Sequence, residues 1–170
     1  MRYEKIKYFD VANGLGVRTS LFVTGCSRHC PGCFNPETWH FENGQAYTEK
    51  TEQDILRSIE PYYINGMSIL GGEPLNKENR HEVALLVSAF RERYPAKTIW
   101  VFTGFCYEEL IAEGDHDVLS IFRQIDVLKD GPFIEEESEA GLIFKGSRNQ
   151  RILDMPKTIK SSRPVILELE

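Results

Sequence analysis

Four short runs rich in β-branched, aliphatic and aromatic residues each stop at a glycine. They are residues 17–24 before Gly25, 67–70 before Gly71-Gly72, 98–102 before Gly104, and 125–128 before Gly131. The stretches between the last three and after the first carry apolar residues at helical spacing, predicting helices from Thr48 to near Pro61, over 77–94, and over 107–121 with a break near Gly114. Strands alternating with helices form βαβ units on a parallel sheet. A complete eight-stranded barrel takes about 250 residues, and this chain has 170. The expected architecture is therefore α/β: one domain over 1–170, either a partial, open (β/α) barrel or a curved sheet, with its strands mainly parallel. In such folds ligands gather at the C-terminal ends of the strands. The unusual segments 25–35, 71–74, 103–105 and 129–132 all fall there, which predicts one shared site.

The hydrophobic fraction of 41% and charged fraction of 27% suit a soluble globular protein. A net charge of −6 argues against sequence-independent nucleic-acid binding, which needs clustered positive charge. No run approaches the roughly 20 apolar residues of a membrane span, and residues 1–7 lack the apolar core of a signal peptide. The reading is cytoplasmic, without membrane or nucleic-acid partners. Thiols stay reduced in that compartment, so the four cysteines are not a disulfide framework.

Three of them are spaced Cys26-x-x-x-Cys30-x-x-Cys33. Thiolates suit iron–sulfur clusters and zinc alike. Three ligands on one tight loop cap three corners of a cubane and leave its fourth iron open to a small molecule. Alternatively, His29 or His40 completes a Cys₃His zinc site. Cys106 stands apart and reads as an inert core thiol. One strand later, Gly71-Gly72-Glu73-Pro74 lets a ligand approach the backbone closely. It also places a carboxylate where an ammonium group can be received.

The cysteine spacing followed by Gly-Gly-Glu resembles the radical S-adenosylmethionine superfamily. The resemblance implies a partial barrel of that type and a [4Fe–4S] cluster on Cys26, Cys30 and Cys33, the catalytic ligands. It further implies S-adenosylmethionine on the open iron, with reductive cleavage to methionine and a 5′-deoxyadenosyl radical. Cofactor contacts carried over by resemblance are Gly32, Cys33, Phe34, Gly71, Gly72 and Glu73. Asp130-Gly131-Pro132-Phe133 and Gly146-Ser147-Arg148-Asn149-Gln150-Arg151 narrow the resemblance to activases of anaerobic (class III) ribonucleoside-triphosphate reductases, over residues 8–153. That implies a glycyl radical made on the reductase, an electron donor such as flavodoxin, and a possible homodimer. Asn13 departs from the Asp common before glycine in glycyl-radical activases. Two alternatives stay open. One is an activase of another glycyl-radical enzyme of the pyruvate formate-lyase type, or a small enzyme of deazapurine synthesis. The other is a zinc-stabilised interaction domain. Arg148 and Arg151 either dock a partner, the favoured reading, or only solvate a surface turn. Lys129 and Asp130 either touch the cofactor or shape a turn. Residues 135–137 read as a solvated acidic face, and Trp39 and His40 as packing residues.

Overall fold

The four apolar runs become the middle of one sheet. A computed structural model describes residues 1–169 as an α/β fold. Its elements run β1 (Arg2–Asp10), β2 (Arg18–Val23), β3 (Gln45–Ala46), α1 (Glu49–Ser58), β4 (Gly66–Gly71), α2 (Arg80–Arg93), β5 (Thr98–Phe102), α3 (Tyr107–Glu113), α4 (His116–Gln124), β6 (Val127–Asp130), β7 (Arg151–Asp154) and α5 (Met155–Ser161). The strand order is β3-β1-β2-β4-β5-β6-β7, an open sheet of seven strands. β2, β4, β5 and β6 pair in parallel. β1, β3 and β7 flank them antiparallel. The expectation of a mainly parallel sheet thus holds for the central four strands, and the sheet as a whole is mixed.

Helix boundaries follow local chemistry. Thr48 caps α1 by accepting from the Thr51 amide at 3.3 Å, while the Thr51 hydroxyl accepts from the Thr48 amide at 3.3 Å. This reciprocal pair satisfies two otherwise orphaned groups. The anticipated break at Gly114 is present: Gly114 takes the left-handed conformation at φ 67° and ends α3. Asp115 then caps α4 through the amides of Asp117 and Val118. α2 starts at Arg80 rather than 77: the chain first turns, with Asn79 N donating to Asn76 O at 2.9 Å, and the side chains of Asn76 and Asn79 bond the β2 exit.

The two faces of the sheet are covered differently. Leu21, Val23, Ile69, Val101 and Leu128 are fully buried against the helices with Ile55, Val87 and Phe90. Burying each such side chain stabilises by roughly 1.5–3 kcal/mol. The other face carries a smaller group, Trp100, Val127 and Ile152, packed with Phe102, Phe144, Leu167 and Leu169. Arg18 lies fully buried below it. It donates to Ser68 Oγ, Thr98 Oγ1 and the carbonyls of Leu15, Met67 and Thr98, and stacks on Trp100 at 5.6 Å. Helices seal one face, whereas loops only partly cover the other, so that face has room for a cavity. Among the described residues no helix is long and apolar enough to cross a membrane.

Candidate active site

The exits of β2, β4, β5 and β6 surround a cavity of about 390 Å³. Its walls hold Cys26, Cys30 and Cys33 from the β2 exit and Gly71, Gly72 and Glu73 from β4. β5 contributes Thr103 and Gly104, and β6 contributes Lys129. Asn13 approaches from the loop after β1, and Phe133, Phe144 and Gln150 close the far side. Volume and mixed lining are those of a small-molecule site. The expected convergence of four glycine-stopped strands is therefore met.

The cysteine loop is held by backbone bonds at its base. Gly25 N donates to Thr38 O at 2.8 Å and Cys26 N to Trp39 O at 2.9 Å, so the chain leaves β2 and returns beside itself. Two asparagines that sequence reasoning passed over tie this loop to the Gly-Gly-Glu turn. Buried Asn79 donates through Nδ2 to Thr24 O at 2.9 Å and Glu73 O at 3.0 Å. Asn76 Oδ1 accepts from the Ser27 hydroxyl at 2.6 Å. Their signal was two asparagines three residues apart just before a helix, where polar side chains bond local backbone.

The donor set fits an iron–sulfur cluster. Three soft thiols share one cavity wall, and the Asn35 amide points at Cys33 Sγ from 3.4 Å, a contact that favours a thiolate. Burial pushes the Cys26 thiol up. Cys106 stands outside this wall, at the N-cap of α3. Among the described residues no three His, Cys, Asp or Glu side chains are gathered closely enough for a single ion. The histidines invoked for zinc are placed otherwise: His29 stacks on Trp39 at 4.7 Å, and His40 is exposed. Trp39 itself lines the cavity.

The Gly-Gly-Glu turn touches the same loop. Gly72 N donates to Val23 O at 2.8 Å and Glu73 N to Gly25 O at 2.9 Å. A side chain on Gly72 would begin 2.7 Å from Gly25 O and 2.9 Å from Thr38 O, so only glycine fits. Glu73 is buried, and burial raises its carboxyl pKa. It accepts from Thr103 Oγ1 at 2.7 Å, Leu75 N at 3.0 Å and Gly104 N at 2.7 Å. It therefore braces the β4 and β5 exits together. A carboxylate has about four acceptor sites, so one is left for an ammonium donor. Gly32 and Phe34 sit beside Cys33, with Phe34 exposed and its ring 4.9 Å from that of Phe133.

The strand end 129–130 divides its roles. Lys129 lines the cavity, and burial lowers its pKa to about 8 against the pull of Glu73, Asp130, Cys30 and Cys33. Asp130 faces away and is fully buried. It accepts from Tyr107 N at 2.8 Å and pairs with Arg151 at 2.5 Å. Arg151 also pairs with Glu108 at 2.7 Å, so it ties β7 to both β6 and α3. Arg148 is exposed, with Glu139 at 3.4 Å.

The two segments that narrowed the resemblance are bonded to each other. Gln150 Nε2 donates to Gly131 O at 3.0 Å, and Asn149 Nδ2 to Pro132 O at 2.8 Å. The Ile134 amide donates to Ser147 Oγ at 3.2 Å. One segment is the mould of the other, which gives a physical reason for finding them together.

Residues 12–153 match the family model described as a 4Fe-4S single cluster domain. Proteins named anaerobic ribonucleoside-triphosphate reductase-activating protein are similar over most of their length. That of Enterobacteria phage T4 is 38% identical, covering 89% of this chain and 93% of its own. Those of Escherichia coli K12 and Vibrio cholerae are each 38% identical, covering 88% and 89% of this chain and 96% and 97% of theirs. With a cluster-bearing family model over residues 12–153 and relatives of one name matched over most of their length, the chain belongs to the family of anaerobic ribonucleoside-triphosphate reductase-activating proteins.

Proposed function

We propose that Cys26, Cys30 and Cys33 bind three irons of a [4Fe–4S] cluster and that S-adenosylmethionine completes the fourth. On this reading the chain is one radical S-adenosylmethionine domain on a partial barrel. When bound, the pair supplies one-electron cleavage of a sulfonium C–S bond and hydrogen abstraction from a glycine α-carbon of the reductase, leaving methionine and 5′-deoxyadenosine. The chain's own residues bind, orient and shield. Gly72 lets a ligand lie against the β4 exit, and Glu73 receives an ammonium group with its remaining acceptor site. Gly71 supports that turn. Gly32 and Phe34 border the adenine side. A cytoplasmic location, a flavodoxin-like donor and a homodimer belong to the same proposal.

One observation carries the reading: the three thiols and the Gly-Gly-Glu turn, one crossover apart in sequence, wall the same cavity. The test is reconstitution with iron and sulfide without oxygen, then reduction and EPR with and without S-adenosylmethionine. Cys30→Ala serves as the control. The expected result is a [4Fe–4S]⁺ signal that changes on adding S-adenosylmethionine, and a glycyl radical once the reductase is present. A colourless protein retaining one zinc overturns it.

A further inference from the structure

Residues 131–146 leave the end of β6, cross the far side of the cavity and return before β7. The two ends of this excursion are drawn together at its base, and one side chain bonds both of them. Gln150 is buried, donates through Nε2 to Gly131 O at 3.0 Å, and accepts through Oε1 from Gly146 N at 2.8 Å. A segment of this length with its ends drawn together is an Ω-loop. Its middle is seated on the cysteine loop at two points. Phe133 packs on Phe34 with ring centroids 4.9 Å apart. Glu135 lies over Gly32, where a side chain would start 2.6 Å from its carboxyl carbon. Gly146 fits beneath both rings, since a side chain there would begin 3.0 Å from Phe133 and 3.2 Å from Phe34. Each seating contact falls within one residue of Cys33.

We infer that residues 131–146 are a cap that governs access to the cysteine loop, with Gln150 as the buckle holding it shut. Gln150 is a positioning residue: it acts through the cap and touches no reacting atom. The contacts at the cysteine loop are few, one ring pair and one carboxylate on a glycine, while the base is held by the Gln150 carboxamide together with Asn149 Nδ2 to Pro132 O at 2.8 Å, the Ile134 amide to Ser147 Oγ at 3.2 Å and Arg148 N to Glu137 O at 2.9 Å. Local opening therefore costs less than global unfolding. The inference rests on the reading that Cys26, Cys30 and Cys33 hold the cluster. Its test has one arm independent of that reading.

The first arm is limited proteolysis of metal-free protein with a glutamate-specific protease, following cleavage within 135–139. The second is the rate at which the reconstituted cluster's visible absorbance bleaches in air. Gln150→Ala should be cut, and should bleach, about tenfold faster than wild type, because both rates track the population of the open form. Circular dichroism and melting confirm that the variant is folded. If Gln150→Ala fails to fold, Phe133→Ala, which removes one seat and leaves the hinge intact, decides the matter by the same two rates. Unchanged cleavage and bleaching in a folded variant overturn the cap. Faster cleavage in protein that takes up no iron supports the cap and overturns the cluster reading.

Discussion

Replacing Gly72 with alanine tests the contact on which the site depends. The new methyl would lie 2.7 Å from Gly25 O and 2.9 Å from Thr38 O, and neither is the end of a flexible side chain. Both oxygens are already bonded, Gly25 O to Glu73 N at 2.9 Å and Thr38 O to Gly25 N at 2.8 Å. Relieving the clash means moving the β4 exit away from the cysteine loop and stretching those bonds. Overpacking of this kind costs about 1–3 kcal/mol, and each weakened bond about 1 kcal/mol. Reduced freedom of the unfolded chain returns about 0.4–1 kcal/mol. The net is roughly 3 kcal/mol. For a domain of this size that lowers the melting temperature by about 6–12 °C. Gly114→Ala is the control, because nothing lies within 4 Å of its position and only its φ of 67° is strained. That strain costs about 1–2 kcal/mol, far from the cavity. The assay is thermal unfolding of metal-free protein under reductant, followed by iron content after reconstitution. Gly72→Ala should lose both stability and iron, and Gly114→Ala a little stability only. A Gly72→Ala protein melting with wild type and holding full iron would refute the argument that this backbone contact shapes the site.

Two further outcomes follow from the ion pairs. Arg151→Ala leaves fully buried Asp130 without its partner, and breaking such a pair costs about 3–5 kcal/mol, which partial exposure of Arg151 reduces to about 2–3 kcal/mol. Urea unfolding should show that loss, with Arg148→Ala unchanged beside it. Asp10 is held below its ordinary 3.8: burial works against this, but hydrogen bonds from Asn13 and the Ala12 amide, together with Lys7, outweigh it. A depressed carboxyl pKa adds stability that is present above 3.8 and lost as pH falls through the folded value. Asp10→Asn should therefore destabilise by about 1 kcal/mol near neutral pH, and its gap to wild type should close on acidification. A constant gap across that range in urea titrations refutes the assignment.

The central strands were legible because parallel strands are buried on both faces and read as continuous apolar runs. β2, β4 and β5 fall within a residue or so of their expected positions. β6 starts two residues late, because Asp126 is spent on Arg91 at 2.7 Å and on the Ile99 amide at 2.8 Å. β1 was not legible: its residues mix charges and aromatics without strict alternation, and all but Asp10 keep some exposure. β7 has only four residues, too few to show a period. At the site, the cysteines and glycines could be read because their chemistry admits few substitutes. The internal pairs of Arg151 were hidden for the opposite reason. An arginine beside a recognisable motif looks available to a partner, yet its partners Asp130 and Glu108 are distant in sequence and adjacent only in the fold.

The asymmetry between what was readable and what was not has one physical source. A thiolate ligand or a glycine under backbone contact is fixed by demands local to its own position. Asn79, Gln150 and Thr103 are fixed by the carbonyls, amides and carboxylate that other segments bring to them. Any of several polar residues would look equally plausible at those places in a sequence. Only once β4, β5 and β6 lie side by side are the partners of each in place. The wall of the cavity is built by such residues as much as by its ligands. A variant that keeps every cysteine but loses Asn79 should therefore separate the cysteine loop from the turn that faces it.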